Sequence, residues 1–454
     1  MHLAAKKISE ASVMTRTSAA RLAVALGLAL VALPADAKVQ IQEVQTESGI
    51  TAWLVEDYAV PMVTIRFAFE GGSTQDLSGK EGLTQLMTGL FDEGAGTLDS
   101  GEFQVRLDDA GAEMRFGAGR DTIYGTMRML ADNKDEAFEL LRLAVQEPRF
   151  DPGPVERIRA QMVSGVVAAL KDPEAEAQIK WAQAIYGEHP YARRDEGTQA
   201  SLAGITAADL HALHQAVFAR EKLHVAVVGA IDADTARHEI ERLFGSLSEK
   251  PRLRPVQHVD WKLDQQLRVN YPLPQTTLQL AFPGVPRDDP EFYAAYLMNQ
   301  ILGGGTLSSR LFDEVRERRG LAYSVNSSLV THEFASGLVI GTSTRSDRAG
   351  EALNVILDVV RRMAEAGPTQ AELAAAKKYV IGSYALSNLD SSRAIAATLV
   401  SLQVEGLPID YIDRRAGLID AVSLQDVRSA AARLLSAEPA IMIVGPVAKQ
   451  ENGG

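Results

Sequence analysis

The sequence carries one pattern of residues twice, at an offset of about 216 positions, which indicates an internal duplication. Val227–Gly229 corresponds to Ile443–Gly445, and Asp209 corresponds to Asp426. Within each copy, short apolar runs with strand composition occur together with longer runs of helical spacing. A duplicated chain is expected to form two units of one architecture. The predicted class is α+β, with helices on one face of a mixed β-sheet in each unit.

The duplication also sets the predicted domain boundaries. The N-terminal half covers 38–250, and the C-terminal half covers 276–454. Between them, the stretch 251–275 is rich in proline and charged residues, which is typical of a linker. A chain of 454 residues is long enough to bury a large hydrophobic core.

The segment 1–37 has the composition of an export signal. Arg16 and Arg21 form a positive n-region, and Leu22–Leu33 is an apolar run too short to span a bilayer. An A-x-A cleavage site ends at Ala37, so we expect export and cleavage after this residue. The residues before Met14 add nothing to this signal, which leaves Met14 as an alternative start.

Composition excludes several classes of protein. The chain has no cysteine, so disulfides, thiol catalysis and thiolate metal sites are impossible. Its formal net charge of −13 argues against binding to nucleic acid. No apolar run after the first is long enough for a membrane helix. With the export signal, these features predict a periplasmic protein without a membrane span.

The stretch Gly303–Ser327 brings together the features most suggestive of a site. A helical pattern at Arg310–Arg319 is followed by Gly320, which is placed to end the helix, and then by a strand pattern. Arg316 would lie near the helix end and Tyr323 at the start of the strand. A guanidinium and a phenol held near one turn provide two hydrogen-bond donors.

The run LFDEVRERRGLAYSV in this stretch resembles the C-terminal signature of the pitrilysin/insulinase metallopeptidases, which include the mitochondrial processing peptidases. The resemblance covers nearly the whole mature chain and implies two halves that close like a clam shell. In that family an Arg and a Tyr at this spacing face the zinc site and hold the substrate, and they match Arg316 and Tyr323. The alternative is structural: Arg316 could pair with Asp313 or Glu317.

The metal half of the resemblance is broken. The family's H-x-x-E-H motif falls on the run Gly82–Phe91, where Gln85, Thr88 and Gly89 replace the first His, the Glu and the second His. The third ligand, a Glu, should fall near Gly165, and no acid is present there. Zinc needs imidazole, thiolate or carboxylate donors, so we expect no metal and no cofactor in this chain.

His211 and His214 lie one turn apart on a predicted helix, as half of a metal site would. No third ligand follows at a meaningful spacing, so we interpret both as surface histidines.

The resemblance leads to the hypothesis of a zinc-free subunit in a periplasmic heterodimeric peptidase. A homologous partner would carry H-x-x-E-H and the zinc, and Arg316 and Tyr323 would hold a peptide substrate in the partner's site. The alternative is a non-catalytic binding or assembly scaffold of the same fold. A third hypothesis, an independent peptidase with a rearranged metal site, is disfavoured because the ligand types are absent.

Overall fold

The computed structural model describes residues 39–305 and 307–446, in which two mixed β-sheets are each covered by helices. The predicted α+β class is confirmed. The predicted export signal at 1–37 lies outside the described residues. Within the described ranges, no helix is both long and apolar enough to cross a membrane.

The N-terminal half is built on six strands, counted over the described residues. They are β1 (Gln42–Gln45), β2 (Thr51–Glu56), β3 (Met62–Glu70), β4 (Glu113–Ala118), β5 (Thr122–Leu130) and β6 (Leu223–Gly229). Their order in the sheet is β1-β2-β6-β3-β5-β4. The helices are α1 (Leu83–Thr88), α2 (Ser100–Asp109), α3 (Lys134–Gln146), α4 (Pro152–Ala169), α5 (Pro173–Tyr186), α6 (Gln199–Ala203), α7 (Ala207–Val217) and α8 (Ala233–Phe244).

The C-terminal half is built on five strands in the described part of the chain. They are β7 (Gln266–Asn270), β8 (Gln275–Pro283), β9 (Ala322–His332), β10 (Ala335–Arg345) and β11 (Ala440–Gly445), in the order β7-β11-β8-β10-β9. The helices are α9 (Phe292–Asn299), α10 (Ala349–Ala366), α11 (Gln370–Asn388), α12 (Ser392–Val404), α13 (Tyr411–Asp420) and α14 (Leu424–Leu435).

The two sheets share one topology. The order β2-β6-β3-β5-β4 in the first matches β7-β11-β8-β10-β9 in the second, and the single parallel pair among these strands is β2/β6 in one and β7/β11 in the other. Both copies also start one helix with the same capping box: Thr206 with Asp209 in α7, and Ser423 with Asp426 in α14. The repeat seen in the sequence is therefore a repeat of the fold.

One strand lies inside the predicted linker. Residues 266–270 form β7, which pairs in parallel with β11 at the edge of the C-terminal sheet. Its sequence, QLRVN, is short and half polar, because an edge strand buries little of its surface. The predicted linker 251–275 therefore contributes an edge strand to the C-terminal sheet, and its last residue, Gln275, begins β8.

Alternation along β3 determines the core face of the N-terminal sheet. Val63, Ile65 and Phe67 are fully buried on one face, in a cluster with Phe138 of α3 and Phe244 of α8. The rings of Phe67 and Phe244 meet edge to face, with centroids 5.1 Å apart. Complete burial of each such side chain stabilises the fold by about 1.5–3 kcal/mol.

The opposite face of each sheet receives a helix from the other half. Trp181 of α5 belongs to an apolar cluster with Met442 of β11. In return, Gln403 of α12 donates from Nε2 to the Val225 carbonyl of β6 at 2.9 Å, and its Oε1 accepts from the Val225 N–H at 3.2 Å. The two halves are therefore packed into each other and not merely joined in sequence.

Candidate functional site

The segment predicted as a helix at 310–319 is wound as a π-helix over Phe312–Glu317. Arg318 N–H, for example, donates to the Asp313 carbonyl five residues earlier, at 2.9 Å. The segment is helical, as its spacing predicted, but its hydrogen bonds are of the π type over these six residues. Gly320 ends the segment in the left-handed region, with φ at +57°, as the sequence predicted. Single π turns inside helices are frequent at functional sites.

A glycine allows close packing next to this segment. Gly303 lies in a preceding π-helical turn, Gln300–Gly304, packed against β9. A Cβ at Gly303 would come within 2.7 Å of the Ser327 backbone nitrogen, so only glycine fits there. Ser327 in turn donates from Oγ to Asn299 Oδ1 at 2.7 Å. Gly303 therefore has a structural role, because it permits the close packing of this turn against β9.

Arg316 and Tyr323 lie side by side. The Arg316 Cζ lies 4.9 Å from the centroid of the Tyr323 ring and 4.7 Å from that of Phe312, so the guanidinium is held between two aromatic faces. Tyr323 is 84% exposed, and its hydroxyl makes no hydrogen bond with any described residue. The structure therefore brings the predicted pair together and leaves the phenol open to a ligand.

The two neighbouring arginines at this helix end form ion pairs, as is expected of a structural role. Arg318 pairs with Asp313 at 2.9 Å, and Arg319 pairs with the nearly buried carboxylate of Glu314. The Arg316 guanidinium has one carboxylate neighbour among the described residues, Glu317 at 3.7 Å, and donates no side-chain hydrogen bond to any of them. The simple ion-pair alternative thus leaves most of its donors unused.

A β-bulge in β9 changes the direction of the Tyr323 side chain. In the pairing of β9 with β10, Val325 faces Thr342 and Ala322 faces Thr344, so two residues of β9 stand opposite one residue of β10. Tyr323 is one of the two. Because β9 is the edge strand of its sheet, the bulge turns Tyr323 away from the ladder and toward open space.

The degenerate metal motif sits on α1, a short helix that is well anchored. Asp76 accepts hydrogen bonds from the N–H groups of Gly82 and Thr84 at 2.9 and 3.0 Å, which fixes the start of the helix. Gln85 donates from Nε2 to the Ala118 carbonyl at 3.1 Å, and Thr88 donates from Oγ1 to the Gln85 carbonyl. These polar side chains are thus occupied by the backbone.

Three of the four replaced positions meet at one cavity of about 790 Å³ between α1, α4 and α5, which we call the motif cavity. Gln85, Gly89 and Gly165 all line it, whereas Thr88 is buried and does not. Its walls are largely apolar, and Ile158 and Met162 of α4 contribute to them. An amide and two glycines offer none of the donors that zinc requires, so these residues do not fit the metal.

The prediction of two surface histidines is wrong for His214. His211 is exposed, but His214 is buried, and its Nε2 lies 2.8 Å from the Val145 carbonyl. Nε2 therefore carries the proton, and burial lowers the pKa of His214 to about 4. Its partner is a backbone carbonyl in the core, which the spacing of the two histidines cannot reveal. Among the described residues, no group of three or more His, Asp or Glu side chains is arranged to hold a metal ion.

One cluster of side chains was not predicted from the sequence. Arg66 lies in the middle of the apolar strand β3, on the face opposite the core, and lines a cavity together with Tyr124 and Arg393. The signal was present as a single charge in the run MVTIRFAFE. The other members are far apart in sequence, so only the fold brings them together.

Comparison with known proteins places these observations in a family. The family model described as the peptidase M16 inactive domain matches residues 204–380. The protein named non-peptidase homolog YmxG of Helicobacter pylori is 26% identical over 380 residues, covering 82% of this chain and 86% of that protein. An uncharacterized zinc protease of Mycobacterium bovis is 28% identical over 381 residues, with 83% and 86% covered.

Two solved structures have the same fold as this chain. A protease from Helicobacter pylori superposes with a TM-score of 0.80 at 16% identity, over 90% of this chain and 100% of that one, which shows a shared fold. The crystal structure of a peptidase M16 inactive domain from Pseudomonas fluorescens superposes with a TM-score of 0.84 at 30% identity, over 91% of this chain and 99% of that one. The chain therefore belongs to the peptidase M16 family, as a non-catalytic homologue of the peptidases.

Proposed function

We propose that this chain is the zinc-free subunit of a periplasmic heterodimeric peptidase, and that Arg316 and Tyr323 hold the peptide substrate in the partner's active site. The observation that carries the proposal is the contrast between two sites. The metal positions Gln85, Gly89 and Gly165 have lost every ligand, while Arg316 and Tyr323 remain stacked, solvent-facing and free of internal hydrogen bonds.

The chemistry assigned to the pair is hydrogen-bond donation. The guanidinium and the phenol would donate to substrate carbonyl oxygens next to the scissile bond, and the homologous partner would supply the zinc and its activated water. Phe312 and the β-bulge hold the two donors in place before substrate arrives, which lowers the ordering cost of binding. A donor that reaches the developing oxyanion lowers the barrier by about 2.7–4 kcal/mol.

The test is reconstitution. Mixed with a homologue that carries H-x-x-E-H, the chain should give peptidase activity well above that of either protein alone. In the complex, Arg316→Ala should lower kcat/KM by about 10²–10³-fold. Tyr323→Phe keeps the ring that stacks on the guanidinium and removes only the hydroxyl, so a loss of about 10–10²-fold is expected.

Arg318→Ala is the matched control, because it removes a charge from the same helix end without touching the stacked pair. It should change activity little. The mass and zinc content of each complex must stay constant, so that failed assembly is not mistaken for failed chemistry. Full activity of both Arg316→Ala and Tyr323→Phe in an intact heterodimer would refute the role in trans.

The second candidate is a scaffold without a part in chemistry. The observation that favours it is the complete loss of ligands at the motif cavity, together with the name non-peptidase homolog given to the Helicobacter pylori relative. Under this alternative the chain still binds its partner, and the two variants change nothing. The same set of complexes therefore separates the two functions.

A further inference from the structure

The cavity around Arg66 has an unusual charge composition. It has a volume of about 380 Å³ and lies on the face of the N-terminal sheet opposite the core. Its lining contains four guanidinium groups and, among the described residues, one carboxylate, that of Glu113. We call it the arginine pocket; the four are Arg66, Arg115, Arg128 and Arg393.

Three of the four arginines share this carboxylate. Glu113 Oε1 lies 2.6 Å from Arg115, and its Oε2 lies 2.9 Å from Arg393 and 3.8 Å from Arg128. One negative charge cannot neutralise three guanidinium groups, and all of them stay protonated at any physiological pH. The pocket therefore has a surplus of positive charge before Arg66 is considered.

Arg66 has no carboxylate partner among the described residues. Its guanidinium lies over the Tyr124 ring at 4.9 Å, and Nη1 donates to Thr126 Oγ1 at 2.8 Å. The Nε atoms of Arg66 and Arg128 are buried without any hydrogen-bond partner in the described chain. A buried charge without a counter-ion costs free energy, and the burial lowers the pKa of Arg66. An anionic ligand would remove that cost.

A helix start adds to the positive potential. The helix α12 begins at the pocket, where Ser392 Oγ lies 3.1 Å from Thr64 Oγ1 on the sheet face that also carries Arg66. Arg393, the next residue, lines the pocket. The Ala394 N–H in the first turn is already capped by Ser391 Oγ at 3.2 Å, but this end of the 13-residue helix still carries the positive end of the helix dipole.

We propose that the arginine pocket binds a carboxylate of a peptide. The peptide is the expected source because the pocket is bounded by Phe116–Gly119, at the end of β4, and β4 is the edge strand of the N-terminal sheet. An edge strand offers N–H and C=O groups to an extended chain, although the Ala118 carbonyl at the end of β4 already accepts from Gln85. The α-carboxylate of a peptide, or an acidic side chain, would then enter the pocket and pair with Arg66.

This assignment rests on the proposed handling of peptides and adds a substrate class to it: peptides with a carboxylate near the bound segment. Binding is measured on the chain alone, without the partner and without hydrolysis. A failure to bind the peptides therefore does not refute the proposed function in the heterodimer. A failure of the reconstitution experiment likewise does not refute peptide binding by the arginine pocket.

The probe is dansyl-labelled hexaalanine, prepared as the free acid and as the C-terminal amide, with binding followed by fluorescence anisotropy. A third peptide, amidated and with one internal aspartate, separates a side-chain carboxylate from the α-carboxylate. We expect at least one carboxylate peptide to bind about tenfold or more tightly than the neutral amide.

The variant Arg66→Gln should remove this preference and leave binding of the neutral amide unchanged, while Arg66→Lys should retain part of it. Arg361→Ala, on an exposed face of α10, is the control and should retain all of it. A purely structural Arg66 would alter all peptides alike, so the dependence on the carboxylate is the discriminating readout. Thermal melting of each variant checks the fold.

Three results would overturn the proposal. They are equal binding of acid and amide peptides, absence of binding by all of them, and a carboxylate preference that survives Arg66→Gln. Inorganic phosphate serves as a competitor: displacement of the acid peptide only at phosphate concentrations well above the peptide's Kd supports the assignment. Binding of phosphate more tightly than the peptide, in an Arg66-dependent way, would replace a peptide carboxylate with phosphate as the ligand.

Discussion

Rebuilding the metal site is the sharpest test of the claim that Gln85, Gly89 and Gly165 mark former ligand positions. All three line the motif cavity. The change is therefore Gln85→His with Gly89→His and Gly165→Glu, which supplies two imidazoles and a carboxylate to one space. We expect the unmodified chain to carry no stoichiometric zinc, and the triple variant to bind one zinc ion per chain.

The structure indicates that the fold tolerates these changes. A Cβ at Gly165 meets nothing within 4 Å, and replacing glycine inside helix α4 should stabilise it by about 0.5–1 kcal/mol. A Cβ at Gly89 comes within 3.2 Å of Ile158 Cγ2, so this stiff, β-branched side chain must move by a few tenths of an ångström. Loss of the Gln85 hydrogen bond to Ala118 costs about 1 kcal/mol. The sum is close to neutral.

Zinc binding is measured by elemental analysis after gel filtration, by calorimetric titration and by thermal melting. A free zinc concentration of about 100 times the Kd should stabilise the variant by about 2.7 kcal/mol. The matched control combines Gln85→His and Gly89→His with Gly153→Glu. Gly153 lies on the same helix, about 18 Å of helix rise from Gly165, and does not line the cavity.

The control should bind zinc at least about 10–100-fold more weakly, because it retains two ligands out of three. If the triple variant folds but binds no more zinc than the control, the assignment of the three positions is wrong. Adding Thr88→Glu to the two histidines, without Gly165→Glu, should not restore hydrolysis, because the third ligand is still missing.

Two further predictions concern stability. His214 is neutral in the fold with a pKa of about 4, against about 6.5 when unfolded, so it favours folding above pH 6.5 and loses that effect as pH falls toward 4. The free energy of unfolding of the unmodified chain, measured by urea titration, should fall by roughly 3 kcal/mol more over this range than that of His214→Gln; parallel pH curves would contradict this. A Cβ at Gly125 would lie 2.0 Å from the Phe67 ring, so Gly125→Ala should destabilise the chain by about 1–3 kcal/mol, and an unchanged urea midpoint would contradict it.

Regular elements with strong periodicity were predictable from the sequence. The strand at Leu223–Gly229 and the helices at Ala349–Ala366 and Leu424–Leu435 are of this kind, since each has a continuous apolar pattern and a clear start or stop. The strand at 266–270 was missed because an edge strand has no strong apolar pattern. The π-helical winding of 312–317 has no local sequence signal.

Of the two candidate sites, one was predictable from the sequence and the other was not. The family motif brought Arg316 and Tyr323 together at the sequence level, and the structure adds the stacking and the bulge. The arginine pocket was not predictable, because its basic residues come from three strands and from a helix of the other half. Spacing along the chain carries no information about such a cluster; it depends on the topology of the sheet and on the exchange of helices between halves.

The local environment of Arg316 argues for a function more strongly than the motif alone. Its segment is rich in acids, and both Arg318 and Arg319 have found carboxylates there. Arg316 instead lies between two aromatic rings, an arrangement that fixes the guanidinium plane while leaving its N–H groups free. Stability alone would be served as well by a third ion pair or by an apolar side chain. Under the proposed function, the acceptor for this oriented donor would arrive with the substrate, and Tyr323, turned outward by the bulge beside it, would provide the second donor for the same ligand.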